Sequence, residues 1–130
     1  MKVYTTKDFD RQTEGLVEDA KASKPGALAR AKRLQDEFNY RRDLAAIPTE
    51  ETATLKRVRQ SKKFPVWRVS HPYDAETAMR MICWFDEESA EIVVALFAND
   101  KLNMGDVFYD TVGSRADATI EQWLSERNRT

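Results

Sequence analysis

Two arginines, Arg68 and Arg80, stand inside runs otherwise suited to the interior of a sheet, "VWRVS" and "MRMICWF". A guanidinium among apolar residues needs an anion, either a carboxylate of the same chain or a phosphate from outside. Side chains alternate along a strand. In the first run Trp67 and Val69 therefore point one way, and Val66, Arg68 and Ser70 the other. In the second, Met79, Met81, Cys83 and Phe85 oppose Arg80, Ile82 and Trp84. With helices against the face of Trp67, Val69, Met79 and Met81, both arginines project from the opposite face of neighbouring strands and form a shared cationic site. Upstream, Lys56, Arg57, Arg59, Lys62, Lys63 and Arg68 put six positive charges and no negative one into the fourteen residues from Leu55 to Arg68. A backbone phosphate suits such a patch, because guanidinium forks match its oxygens and displaced counterions add to affinity. The alternatives are a solvated edge strand whose lysines deter aggregation, and arginines answered by Asp74, Glu76, Asp86, Glu87, Glu88 or Glu91.

Other reactive side chains are sparse. His71 is the only histidine, so a histidine metal cluster or a two-histidine acid/base pair cannot be built. Its place after "VWRVS" allows general-base work if that strand end meets a substrate, whereas a lone histidine before proline is ordinarily a loop residue. Cys83, the only cysteine, sits between Met81 and Phe85 and reads as a buried, inert thiol. The four glycines, Gly15, Gly26, Gly105 and Gly113, are too scattered for a phosphate-cradling loop. The pairs Glu50 with Glu51 and Glu87 with Glu88 read as solubilised turns. Trp84 alternates onto the arginine face, where it either stacks on a base or packs under a C-terminal helix. Trp123 reads as core or as a partner-contacting surface.

These side chains need a scaffold. At 130 residues the chain suits one domain that buries about two-thirds of its unfolded surface, so residues 1–130 read as a single domain. One cysteine, a charged start and no apolar run of membrane-spanning length point to a soluble, cytoplasmic protein. A net charge of −1, from 21 basic and 22 acidic residues, argues against a coat for nucleic acid but leaves room for a local basic surface. "KVYTT" reads as a short strand. A helix over Asp8 to Ala22 follows, with Phe9, Leu16, Val17 and Ala20 on one face. "SKPG" breaks it, and a second helix carries Leu28, Ala31, Leu34 and Phe38 before Pro48. "IPTEETAT" is a loop, "LKRVRQ" an edge strand, and "EIVVALF" a central strand covered on both faces, joined to "MRMICWF" through "DEES". Asn103 and Asp106 resemble a helix start, and Phe108, Val112, Ala116, Ile120 and Leu124 keep helical phase across Gly113. The order β-α-α-β-β-β-β-α predicts an α+β domain with a mainly antiparallel sheet of about four to five strands and helices against one face.

This succession, with "LKRVR", "VWRVS", "MRMICWF" and "EIVVALF", resembles the RelE/ParE toxins of bacterial type II toxin-antitoxin pairs, over most of residues 3–101. The continuation "FANDKLNMGDVFYDTV" is similar to the HigB-like branch. The resemblance implies a ribosome-dependent mRNA endoribonuclease, an mRNA interferase, neutralised by a cognate antitoxin protein, without metal or small-molecule cofactor and away from membranes. It implies that Arg68 and Arg80 hold the scissile phosphate while the RNA's own 2′-hydroxyl attacks it. Lys101 matches the lysine after the last strand, and Lys56 and Arg57 match the basic residues ahead of the sheet. Tyr109 is the nearest residue to the tyrosine or histidine that such toxins use for proton transfer or stacking, with His71 as the other candidate. The residues left to grip RNA are Arg59, Lys62, Lys63 and Trp84. Two other functions suit the same pattern: a non-catalytic, ParE-like toxin acting on DNA gyrase, and a non-toxic phage or accessory protein that kept the fold.

Overall fold

The computed structural model of the protein describes residues 2–44, 46–69, 79–86, 92–100 and 107–128. Among them are five strands and three helices: β1 (Lys2–Thr5), α1 (Lys7–Lys21), α2 (Ala27–Arg42), β2 (Leu55–Arg57), β3 (Val66–Val69), β4 (Met79–Phe85), β5 (Ile92–Asp100) and α3 (Val107–Asn128). The strands form one sheet in the order β1-β5-β4-β3-β2. Pairing is antiparallel from β2 through β5, while β1 runs parallel to β5. The class is α+β with a mixed sheet. The expected starts of the last helix at Asn103 and Asp106, and the "EES" of the β4–β5 turn, lie outside the described residues.

Thr6 ties the first elements together. Its hydroxyl accepts from the Phe9 N–H (3.1 Å), capping α1, and donates to the Leu96 carbonyl of β5. At the start of α2, Gly26 takes φ 75°, a left-handed conformation that glycine adopts without steric cost.

The α-helical hairpin covers one face of the sheet. Phe9 and Leu34 join Trp67, Val69, Met81, Cys83 and Phe85 in one buried cluster. The apolar stripes on these helices are narrower than the sequence pattern implied. Leu28 is 58 % exposed and Val17 43 %, while Ala27 is fully buried in the place expected for Leu28.

Helices lie on both faces, not one. Val112, Ala116 and Ile120 of α3 bury against Ile82, Trp84, Val94 and Leu96 on the far side of the sheet. A bulge lets β5 serve both layers: Ile82 stands opposite Phe97 and Cys83 opposite Ala95, so Leu96 is the extra residue. Leu96 and Phe97 consequently both belong to the α3 side, and Ala95 and Ala98 to the α1–α2 side.

Gly113 is what lets α3 approach. A Cβ there would lie 2.6 Å from the Ser61 backbone nitrogen and closer still to the carbonyl of Gln60. The obstacle is backbone rather than a mobile side chain, so it cannot swing away. Gly113→Ala should therefore destabilise the protein by about 1–3 kcal/mol through overpacking, although alanine favours a helix interior by about 1 kcal/mol. Urea unfolding checks this: a midpoint at or above the wild-type value would show that the contact relaxes freely.

Candidate nucleic-acid interface

β3 and β4 set the geometry of the two strand arginines. Arg68 stands opposite Ile82 of β4 on one side and Lys56 of β2 on the other. Arg80 is two residues before Ile82, hence on the same face and diagonal to Arg68. Such neighbours lie roughly 7–8 Å apart between Cα atoms. Both side chains are partly exposed. Arg80 donates from Nη1 to the Met79 carbonyl (3.1 Å), while its buried Nε has no hydrogen-bond partner among the described residues.

Between Arg68, Ile82 and Val112 lies a shallow cleft of about 220 Å³, bordered also by Arg57, Val58, Arg59 and Gln60. Val112, in the second turn of α3, is the residue of that helix that borders the cleft. Arg115, one turn on, holds its guanidinium 3.9 Å from the centre of the Phe97 ring. Phe97 in turn stands opposite Ile82. Arg68, Arg80 and Arg115 thus lie around Ile82 and Phe97, with Lys56 beside Arg68 one strand further out. Arg115 escaped the sequence reading, although a cation immediately before Ala116 of the apolar stripe was a visible signal.

The basic run divides. Arg57 borders the cleft, but it stands opposite Trp67 and its guanidinium lies 5.7 Å from that ring, on the other sheet face from the Arg68 side chain. Arg59 pairs with Glu51 (3.2 Å), and the neighbouring Arg57 N–H, above all, holds the Glu51 carboxyl below its usual range. Lys63 pairs with Glu121 of α3 (2.7 Å), whose hydrogen bond raises the ammonium's pKa. Asp117 of α3 accepts from the backbone N–H of Lys62 (3.2 Å) and of Lys63 (3.4 Å) and from the Ser61 hydroxyl. The loop carrying these lysines is thereby fastened to α3. Exposed pairs such as Arg59 with Glu51 and Lys63 with Glu121 contribute little and are screened by salt, so an incoming phosphate can displace them at small cost.

Trp84 does not face a ligand. It is 6 % exposed, edge-on to Phe64 (5.6 Å) and to Trp123 (6.2 Å) beneath α3, so no ring face is open to a base. Lys101 and His71 lie outside the described residues, as does the side chain of Tyr109. Among the described residues no group of three or more histidine, cysteine, aspartate or glutamate side chains is placed to hold a metal, and no helix is long and apolar enough to cross a membrane.

Under the α1–α2 layer sits a second, buried polar group. Arg41 is fully buried and donates from Nη1 to the Met81 sulfur (2.7 Å), with its guanidinium 4.9 Å from the Phe38 ring. Burial lowers its pKa against the pull of Cys83 and Glu37, and Glu37, one turn back on α2, is buried too. Burial likewise pushes the Cys83 thiol up, from 9.0 to about 11, with Arg41 opposing. Comparison of the chain with family models, curated proteins and solved structures finds no match.

The Cys83 shift fixes a pH dependence. The folded pKa lies above the unfolded one, so the unfolded chain loses its thiol proton first, and stability falls as pH rises from about 9 to about 11. The thiol should also resist aromatic disulfide reagents at pH 8 until the protein unfolds. Labelling that proceeds at the rate of a free thiol in native buffer would contradict the buried placement.

Proposed function

We propose that the protein is a RelE/ParE-like toxin, HigB-like in its C-terminal continuation, that cleaves mRNA on the ribosome and is neutralised by a cognate antitoxin. The observation that carries this reading is the diagonal placement of Arg68 and Arg80 on one sheet face, with Lys56 next to Arg68 and a cleft bordered by Val112 of α3 beside Arg68. The strand, helical hairpin, sheet and C-terminal helix in that order support it as well.

In this reading the two guanidiniums grip the scissile phosphate and neutralise the charge that develops as the adjacent 2′-hydroxyl attacks. Because the nucleophile belongs to the RNA, the protein supplies positioning and proton transfer. Lys101, Tyr109 and His71 are the candidates for the proton. Arg115 adds a fourth cation at the rim, and Lys62 and Lys63 extend the track along the backbone.

A second reading draws on the way α3 lies over the arginine-bearing face and buries Trp84. A face covered this far suits binding without cleavage, as by a ParE-like toxin on DNA gyrase. Induced expression separates the two. An mRNA endonuclease produces new message 5′ ends within minutes and arrests growth, whereas a gyrase poison breaks DNA and leaves messages uncut. Arg68→Ala with Arg80→Ala should abolish both the new ends and the arrest, with the fold checked by circular dichroism. Unchanged growth inhibition in that folded double variant would place the phosphate site elsewhere.

A further inference from the structure

The two edges of the sheet are finished differently. On β2, the Leu55 N–H donates to Thr52 Oγ1 (3.1 Å), the Leu55 carbonyl accepts from the Thr52 N–H (2.8 Å), and the Arg57 N–H donates to Glu51 Oε1 (3.0 Å). Residues 51–52 thus occupy backbone groups that an added strand would use, which closes this edge.

Among the described residues β1 has no such cover. Its Thr6 N–H donates to the Ala95 carbonyl (3.1 Å), which sets the phase of the parallel ladder. Successive residues turn their backbone groups to opposite sides, so Lys2 and Tyr4 face β5 with Thr6, and Val3 and Thr5 present N–H and C=O outward. Among the described residues no hydrogen bond closes that side. A cavity of about 460 Å³ opens beside this edge, with Tyr4, Thr5, Trp123 and Arg127 in its lining.

Charge selects the occupant. Lys2 Nζ lies 5.3 Å from the Tyr4 ring centre, and the Arg127 guanidinium lies 5.0 Å from the rings of both Tyr4 and Trp123. These two cations rest on aromatic faces, a placement that holds them beside the edge and suits an anion arriving from the outer side. Lys7 and Arg11 add exposed pairs with Glu126 (3.5 Å) and Asp8 (2.8 Å) that a competing carboxylate can exchange, and Asp10 is the remaining acid of the lining.

We propose that β1 is a docking edge for an extended, acidic segment of a partner protein, which adds to the sheet as a sixth strand and sets alternate carboxylates against Lys2 and Arg127 beside the cavity. Backbone pairing at Val3 and Thr5 provides the register, and the cations provide the preference. The inference does not depend on what Arg68 and Arg80 bind.

The probe is a fluorescein-labelled ten-residue peptide alternating glutamate with valine, followed by anisotropy, with a lysine-for-glutamate peptide as its counterpart. Saturable binding of the acidic peptide is expected, at least tenfold tighter than the lysine peptide and at least tenfold weaker for Val3→Pro, which removes an outward N–H that the fold does not use. Hydrogen exchange on the wild-type protein gives a readout independent of that variant: the Val3 and Thr5 amides should slow when the peptide is added. Absence of saturable binding up to millimolar peptide, equal binding by folded Val3→Pro, or protection at β2 instead of β1 would each overturn the proposal. So would self-association that Val3→Pro abolishes, because the edge would then serve a second copy of this chain.

Discussion

The seating of α3 governs everything on the arginine-bearing side of the sheet. Val112, Ala116 and Ile120 bury against Ile82, Trp84, Val94 and Leu96, and this apolar contact draws the helix down. Two further features fix where it lands. Gly113 admits the backbone of Gln60 and Ser61, and Asp117 gathers the N–H groups of Lys62 and Lys63. One helix thus builds the second layer of the core, leaves a cleft at Arg68 and holds the basic loop in place.

The two layers treat buried charge differently. On the α3 side the cations stay at the rim, where Arg68 and Arg80 are partly exposed and Arg115 rests on Phe97. Under α1 and α2, Arg41 is fully buried next to Cys83 and Met81, and Glu37, one turn back on α2, is fully buried as well. Removing a charged group from water costs several kcal/mol before any attraction returns it. A guanidinium that keeps contact with solvent avoids most of that cost and remains available to an incoming anion. This difference is why the candidate interface sits at the rim of the α3 layer and not at the more deeply buried arginine.

Much of the fold was legible because its periodicities are strong. Alternation in "VWRVS" and "MRMICWF" assigned Trp67, Val69, Met81 and Cys83 to one face and Arg68, Arg80 and Ile82 to the other, as found. The helical phase of Val112, Ala116 and Ile120 carried α3 through Gly113. What alternation does not encode is which layer covers each face. The helix-on-one-face expectation failed because α3 has its own apolar stripe and needed somewhere to bury it, and Trp84 went under it. The bulge at Leu96 was hidden as well, since an unbroken apolar run looks the same with or without an extra residue. Arg57 and Arg68 were grouped by proximity in sequence, yet strand pairing sends them to opposite faces. Arg115 joined the cluster only through the crossing of α3 over β5, a long-range contact that no local pattern carries.

The central claim is that Arg68 and Arg80 together meet one RNA phosphate, and the salt dependence of binding reads this most directly. Affinity for a single-stranded RNA, measured from about 50 to 200 mM salt, should fall with a log–log slope whose magnitude drops by about 0.7 in the Arg68→Ala, Arg80→Ala variant, the contribution of the one phosphate that the pair no longer neutralises. A folded variant that weakens with salt along the wild-type slope would contradict the account, because the two arginines would then be answering carboxylates within the protein and not phosphates outside it.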